Sequence, residues 1–567
     1  MKVYEIPYKR YTIEEGKAAY EAFVLAFTNA SSVDDALKAR EALLDAFTEY
    51  STQASLANCR FTLNTADPFY SAEVEYYDEV SPLFEELSVG YADLLLSSPL
   101  RSELEKHINP RIFRRAELAQ KTFSSEVIAE CQTENAIVTE YSRFMSGLLF
   151  DYNGEKLPLS AIRGNLENKD REVRRMTAVA IGEGLQKHSA ELDDFYDRLV
   201  KIRTKIAKKL GFSNFTELGY CRMGRLDYDA KAVATFRESV KNDLVPVVSQ
   251  IKEQIAKDLG IDAVTFYDNS VYTLERVPKP MLDKDGIFAA AKKMYREMSA
   301  ETGDFMDKML EAEAFDVEAR PNKWGGGYCT GFAKYKQPFV LANFNGSCGD
   351  VDVMTHEFGH ALAQQFEYDI GDREVGLGME TAECHSMSME FFCWKYTELF
   401  FGEDADLYRR KHLLDALSFI PYGVIVDEFQ HVIYDNPDLT PKERNAVWCD
   451  LEKKYRPYLD YEDLPYLKEG TRWQYQMHIY ESPFYYIDYC LAQTVSLFFL
   501  LASLEDYNRA FAAYLNFSKA GGTKAFGTLV EEAGLCSPFT EGALKDVAEK
   551  ASALAKELHL KTKGDCQ

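Results

Sequence analysis

The residues of this 567-residue chain best arranged to do chemistry are two histidines with a glutamate between them, His356-Glu357-Phe358-Gly359-His360. On an α-helix, residues four apart lie about 40° apart in azimuth and one turn along the axis, so both imidazoles can reach one ion. Neutral imidazole suits zinc. Glu357 is displaced from the first histidine, where it can address a water held by the ion rather than the ion itself. With only 9 histidines in the chain, this pattern would arise by chance in about one or two per cent of such sequences. Its neighbours are those of a helix with a face to bury: Val353, Met354, Ala361, Leu362 and Phe366, with Asp350 or Asp352 able to cap the start. Gly359 costs a helix interior about 1 kcal/mol, which predicts close approach by another backbone.

A catalytic zinc usually takes three protein ligands and leaves one position for water. The segment Glu380-Thr381-Ala382-Glu383-Cys384-His385-Ser386-Met387-Ser388-Met389-Glu390 supplies candidates. Glu383 and Glu390 are two turns apart on one helix face, so one could bind the ion while the other orients a ligand histidine. A solvated acidic face is the plain alternative, and the Met and Phe neighbours argue against it. Cys384 and His385 are chemically competent but point away from that face. Spacing ranks Glu383 first, ahead of Glu390, His385 and Glu380. Further on, His478, Tyr485 and Tyr489 would share a face of one continuous helix, but Pro483 predicts a helix starting there with His478 in a preceding loop. In a chain with 35 tyrosines, the ordinary alternative is an aromatic core stripe.

The elements that must position these groups read mostly as helices. Thr12-Ile13-Glu14-Glu15 fits a capping box, followed by Ala19, Phe23, Ala26 and Phe27 at helical spacing. Comparable patterns cover about 33–65, 71–97, 124–149, 170–210 and 229–258, with breaks at Asn153-Gly154, Leu210 to Asn214 and Thr302-Gly303-Asp304. Asn214 or Thr216 could cap the helix after the second break. Strand signals are few: a loose alternation from Ala263 to Tyr272, and the apolar run Gln337 to Phe344 beside a glycine cluster. Helical patterning resumes near Val351 and continues to Leu560. The expected fold is mainly α, with a small sheet beside the helix that carries the two histidines.

Composition narrows the partners. Acidic residues number 91 against 65 basic ones, a net charge of −26, so no basic surface is available for nucleic acid. The most apolar run, Val495 to Ala502, is too short to span a bilayer, which predicts no membrane partner. Eleven cysteines run from Cys59 to Cys566 without a CxxC pair, and residues 1–10 carry no charged-then-apolar leader. Together these predict a reducing compartment and a cytoplasmic location.

His356-Glu357-Phe358-Gly359-His360, followed at this distance by Thr381 to Glu390, resembles the thimet-oligopeptidase and oligoendopeptidase F family of zinc peptidases, above all its oligoendopeptidase F and Pz-peptidase branch. Lys201 to Phe212 resembles the start of that family's catalytic domain. Tyr328-Cys329 and the Pro338 to Asn343 strand resemble its substrate-lining sheet, and His478-Ile479-Tyr480 with Phe484 to Tyr489 its loop of a histidine and tyrosines. The likeness covers about 170–560, while residues 1–170 match only in being helical. It implies an N-terminal helical domain over 1–170 and a catalytic domain over 171–567, forming a large helical ellipsoid with a deep channel.

The resemblance also implies one zinc per chain held by His356, His360 and Glu383, with Glu390 supporting the site. Glu357 would serve as general base. His478 and Tyr489 would donate to the carbonyl oxygen of a short peptide substrate. Tyr485 is a further candidate, because the tyrosine spacing departs by about a residue from the thimet-oligopeptidase branch. The substrate backbone would pair with the Phe339 to Phe344 strand. Cleavage of internal bonds is the reading implied. The rivals are a zinc exopeptidase of the dipeptidyl carboxypeptidase or carboxypeptidase type, and a non-catalytic helical scaffold with structural zinc. The latter would need a fourth ligand, for which only Cys384 and His385 are near.

Overall fold

The computed structural model describes residues 1–274 and 276–564; Cys566 lies outside them. Helices dominate, and local chemistry explains where they start. Helix α1 (Ile13–Thr28) opens on the expected capping box, the Thr12 side chain accepting from the Glu15 amide and Glu15 Oε2 from the Thr12 amide at 2.8 Å. Helix α2 spans Val33–Leu63, and α3 (Pro68–Ser97) starts on Pro68 with Asp67 capping two amides. Helix α4 (Pro110–Thr122) follows, with Asn109 as its cap. These four build two small apolar clusters of their own, whereas Ile128–Gly147 and nearly everything after it join one main core.

Several expected boundaries shift for physical reasons. The 170–210 pattern divides into Arg171–Gln186 and Ser189–Lys209. Asn153-Gly154 is the turn of a hairpin pairing Leu149–Tyr152 with Glu155–Pro158, both turn residues at positive φ (51° and 85°). The break expected at Thr302 to Asp304 falls instead at Ser299, which is extended and caps Ala300–Glu311. Ala263 to Tyr272 forms no strand beyond a single bridge from Thr265 to Asp460. There the buried Asp268 carboxylate collects Arg171, Arg174 and the Thr265 hydroxyl, which bends the chain into a turn. Asn214 caps Phe215–Arg222 as expected, accepting from the Glu217 amide.

The sheet beside the site has three strands: β1 (Phe315–Glu318), β2 (Tyr328–Phe332) and β3 (Gln337–Phe344). Strand β3 is central, parallel to β1 and antiparallel to β2, and buried from Gln337 to Ala342. A central, two-sided burial is what its unbroken apolar run requires. It also corrects the expected docking strand, because both edges of β3 are occupied. Strands β1 and β2 each carry an edge that no strand pairs among the described residues.

Four helices complete the frame around the site. Helix α5 (Gly349–Ile370) holds the HExxH sequence and α6 (Met379–Phe392) the Glu383 segment. Asp350 does not cap α5; it lies inside the first turn and accepts from the Asn345 and Gly346 amides at 2.9 and 2.8 Å. Asp352 is also within the helix and accepts from the Tyr408 hydroxyl. Helix α7 spans Ala405–Asp435 and α8 Tyr486–Glu505. Helix α8 runs beyond the Val495 to Ala502 stretch and is long and apolar enough to cross a membrane, yet 67% of its most apolar window is buried within the protein. It packs on α6 and α7 as a core helix.

The loop between α5 and α6 is gripped by the N-terminal helices. Val375 is 3% exposed inside one of their apolar clusters. Arg40 of α2 pairs with Asp372 and Glu374, Tyr91 of α3 donates to Glu374 at 2.8 Å, and Arg115 of α4 donates to the Gly376 carbonyl.

Candidate active site

Helices α5 and α6 cross where Gly359 faces His385 and Ser386. A Cβ at Gly359 would stand 2.7 Å from the His385 carbonyl oxygen and 2.7 Å from the Ser386 Cα, so the expected backbone approach is real. This contact brings Glu383 across to the two histidines. His356 Nε2 lies 3.5 Å and His360 Nε2 3.4 Å from Glu383 Oε2. One ligand atom from each of His356, His360 and Glu383 falls within 4.8 Å of the others. Two imidazole nitrogens and a carboxylate oxygen converging on one point form an N₂O donor set that fits an open zinc site.

The surroundings hold that set in orientation. The Ser386 hydroxyl donates to Glu383 Oε2 at 3.1 Å, and the Tyr485 phenol donates to Glu383 Oε1 at 2.7 Å. Behind His356, Glu390 Oε1 accepts from Nδ1 at 2.6 Å, while its Oε2 accepts from His412 Nε2 at 2.7 Å. Burial works against the Glu390 charge, but these two donors hold its carboxyl down at about 2. Glu390 thus stands where support for a ligand was expected. His412 had no sequence signal: it lies 22 residues beyond Glu390, on another helix.

Glu357 is 7% exposed, and its Oε2 is buried without a hydrogen-bond partner. Such an orphan is costly unless something outside the protein occupies it. Burial raises its carboxyl above the ordinary value against the pull of the neighbouring imidazoles, as suits a group that must accept and release a proton. The start of β2 adjoins it, a Cβ at Gly327 lying 3.9 Å from Glu357 Oε1.

The C-terminal candidates converge on the same place. His478 sits in a short helix, Met477–Glu481, rather than a loop, and α8 starts at Tyr486 rather than Pro483. Phe484, at φ 66°, makes the sharp link between them. The ring of His478 lies 6.0 Å from Tyr485 and 5.8 Å from Tyr489, whose own rings are 4.7 Å apart. Burial lowers the His478 imidazole and so keeps it neutral. The Gln476 amide lies 3.0 Å from its Nδ1; as a donor there, it leaves the ring proton on Nε2. Burial and the charges of Glu383 and Glu357 keep the Tyr489 phenol protonated. Tyr486 packs against Phe419 and Tyr422 in an aromatic cluster, and its ring also meets that of His478 at 4.9 Å.

The remaining acidic-segment residues lie outside the donor set. Cys384 is fully buried, and His385 meets the edge of Phe517 with both ring nitrogens unpartnered, burial pushing its pKa down to about 3. Glu380 is buried beside Thr381. A cavity of about 1410 Å³ lies between the N-terminal helices and the sheet and reaches α5 one turn beyond His360, with none of the candidate site residues in its wall. Its wall includes Glu85, Arg115, Arg222, Gly331 of β2, and Gln364 and Tyr368 on the turns of α5 that follow His360.

Comparison with known proteins bears on this arrangement. The chain is 24% identical to oligopeptidase PepF of Bacillus subtilis over 507 residues, 83% of this chain and 70% of that protein. A solved structure of Pz peptidase A with an inhibitor superposes with a TM-score of 0.94 at 40% identity, covering 98% of this chain and 99% of that one. An oligoendopeptidase F from Bacillus anthracis gives 0.89 at 38% identity, covering 99% of both. The model of the peptidase M3 N-terminal domain matches residues 3–123, and that of peptidase family M3 itself matches residues 165–549, spanning α5, α6 and the tyrosines of α8. The chain belongs to peptidase family M3.

Proposed function

We propose that this metallopeptidase hydrolyses internal bonds of short peptides, with one zinc held by His356, His360 and Glu383. The observation that carries the reading is the convergence of those three ligand atoms beside the buried, unpartnered Oε2 of Glu357. Zinc bound there supplies a Lewis acid that polarises a carbonyl and acidifies water. Glu357 Oε2 accepts a proton from the attacking water and returns it to the leaving amine. Tyr489 and His478 Nε2 donate hydrogen bonds to the oxygen on which negative charge develops. Tyr485 takes a different part, its phenol holding Glu383 in place.

The peptide backbone adds as a strand to the open edge of β2, which leads from Glu357 toward the cavity. The names of the relatives, oligopeptidase and oligoendopeptidase F, support a substrate limited in length. The division into domains near residue 170 belongs to this proposal and is supported by the stretch 124–164 left between the two family models. A cytoplasmic location is supported by ten free cysteines among the described residues.

Internally quenched peptides blocked at both ends, with the cuts mapped by mass spectrometry, test the reading. Internal cleavage of short peptides and none of a folded protein is expected. Cleavage only of peptides with a free terminus would hand the site to the exopeptidase alternative, and efficient cutting of casein at many sites would remove the length limit.

A further inference from the structure

Beyond Glu390, the hydrogen-bonded chain behind the candidate metal ligand continues through two more side chains. Trp394 Nε1 donates to His412 Nδ1 at 2.8 Å, and the ring of His412 is walled by Phe391 (centroids 4.7 Å apart) and Tyr408 (5.7 Å). The direction of the first two bonds in this chain follows from one fact: an indole N–H can only donate. His412 Nδ1 must therefore be a bare acceptor, and in the neutral ring the proton sits on Nε2. That proton goes to Glu390 Oε2 at 2.7 Å. The other oxygen of Glu390 lies 2.6 Å from Nδ1 of His356, the ring nitrogen turned away from the metal position, and as a carboxylate oxygen it accepts there. What remains on His356 is a lone pair on Nε2, aimed at Glu383 and the metal position.

We propose that His412, locked by Trp394, is a positioning residue that anchors Glu390 and, through it, fixes which nitrogen of His356 faces the metal. Trp394 thus helps to orient a ligand from which it is separated by one imidazole and one carboxylate. The inference rests on the zinc site proposed above and concerns residues that touch neither metal nor substrate. Partners this far behind a ligand typically alter metal affinity about 10–100-fold when removed. His412→Phe deletes both hydrogen bonds while keeping an aromatic ring; His412→Gln restores an N–H close to the original Nε2.

The test measures zinc affinity by chelator competition for wild type, His412→Phe, His412→Gln and His356→Ala, with unfolding of each metal-free form followed in parallel. His412→Phe should bind zinc about 10–100-fold more weakly, and His412→Gln should recover most of that loss at similar metal-free stability. Equal weakening in the Phe and Gln variants would mean that packing, not the donated proton, matters, and would overturn the proposal. So would full affinity in His412→Phe while His356→Ala loses the metal, an outcome that leaves the zinc site itself intact. If the variants fail to fold, the wild-type holoprotein decides: a long-range nitrogen–proton spectrum of labelled histidines should show His412 as the neutral Nε2–H tautomer. Finding its proton on Nδ1 would overturn the assignment.

Discussion

The two poles of the candidate site are built on different principles. At the metal pole, every ligand projects from the interior of a long helix, and two of them have a second partner visible behind: Glu390 for His356, Tyr485 and Ser386 for Glu383. At the opposite pole, His478 and Tyr489 lie on either side of a sharp link at Phe484, one in a helix of a single turn and the other at the start of α8. The first pole is held rigid before anything binds. The second is a buried corner: Phe484 is fully buried, its amide donates to Gln430 Oε1 at 3.0 Å and its carbonyl accepts from Arg225. On the proposed reading, the contrast assigns metal affinity to the helix interiors and stabilisation of developing charge to the corner between two helix ends.

Substitutions at the two poles should therefore fail differently. Glu383→Ala removes a donor outright, and elemental analysis should find the metal lost along with all turnover; full zinc occupancy would move the third ligand elsewhere. Glu357→Gln should keep the metal and the fold while kcat drops by about 10²–10⁴, the span typical of general acid–base catalysis. A loss under tenfold would refute the proton-transfer role. Tyr489→Phe should lower kcat and kcat/KM together by about 10²–10³ at constant metal content, as for loss of one oxyanion donor. In the same assay Tyr486→Phe should stay near wild type, since the ring contacts with Phe419, Tyr422 and His478 survive loss of the hydroxyl. Tyr485→Phe should behave as a member of the metal pole despite its neighbour, weakening zinc more than it slows the bound enzyme. Smallest of all, Gly359→Ala should cost about 1–3 kcal/mol of stability, because its new methyl meets backbone that side-chain motion cannot clear. Unchanged unfolding in denaturant would mean that α5 and α6 can separate freely.

What was legible in the sequence follows the same division. The histidine pair, Glu357 and the Glu383–Glu390 spacing are local patterns on single helices, where residue number converts directly into direction. Gly359 was legible too, since a glycine inside a helix asks for a reason and the reason is the crossing of α6. His412 and Trp394 were not, because their roles exist only once α7 packs behind α5. The docking strand was misplaced because an apolar run announces burial without saying whether the strand is central or at an edge. The hairpin at Asn153-Gly154 was read only as a break, although that dipeptide at positive φ carries its own turn geometry.

The grip of the N-terminal helices on residues 372–376 has a thermodynamic side. That loop is the tether between α5, with two of the proposed ligands, and α6, with the third, and its Val375 is sealed in an apolar cluster contributed otherwise by the first 113 residues. Whatever part of an ion's binding free energy is coupled through that tether would stabilise the remote cluster, and by linkage the cluster would return the same coupling to the ion. Loosening Arg40 or Val375 should therefore raise the zinc concentration at which the protein is half-loaded, with no donor atom touched.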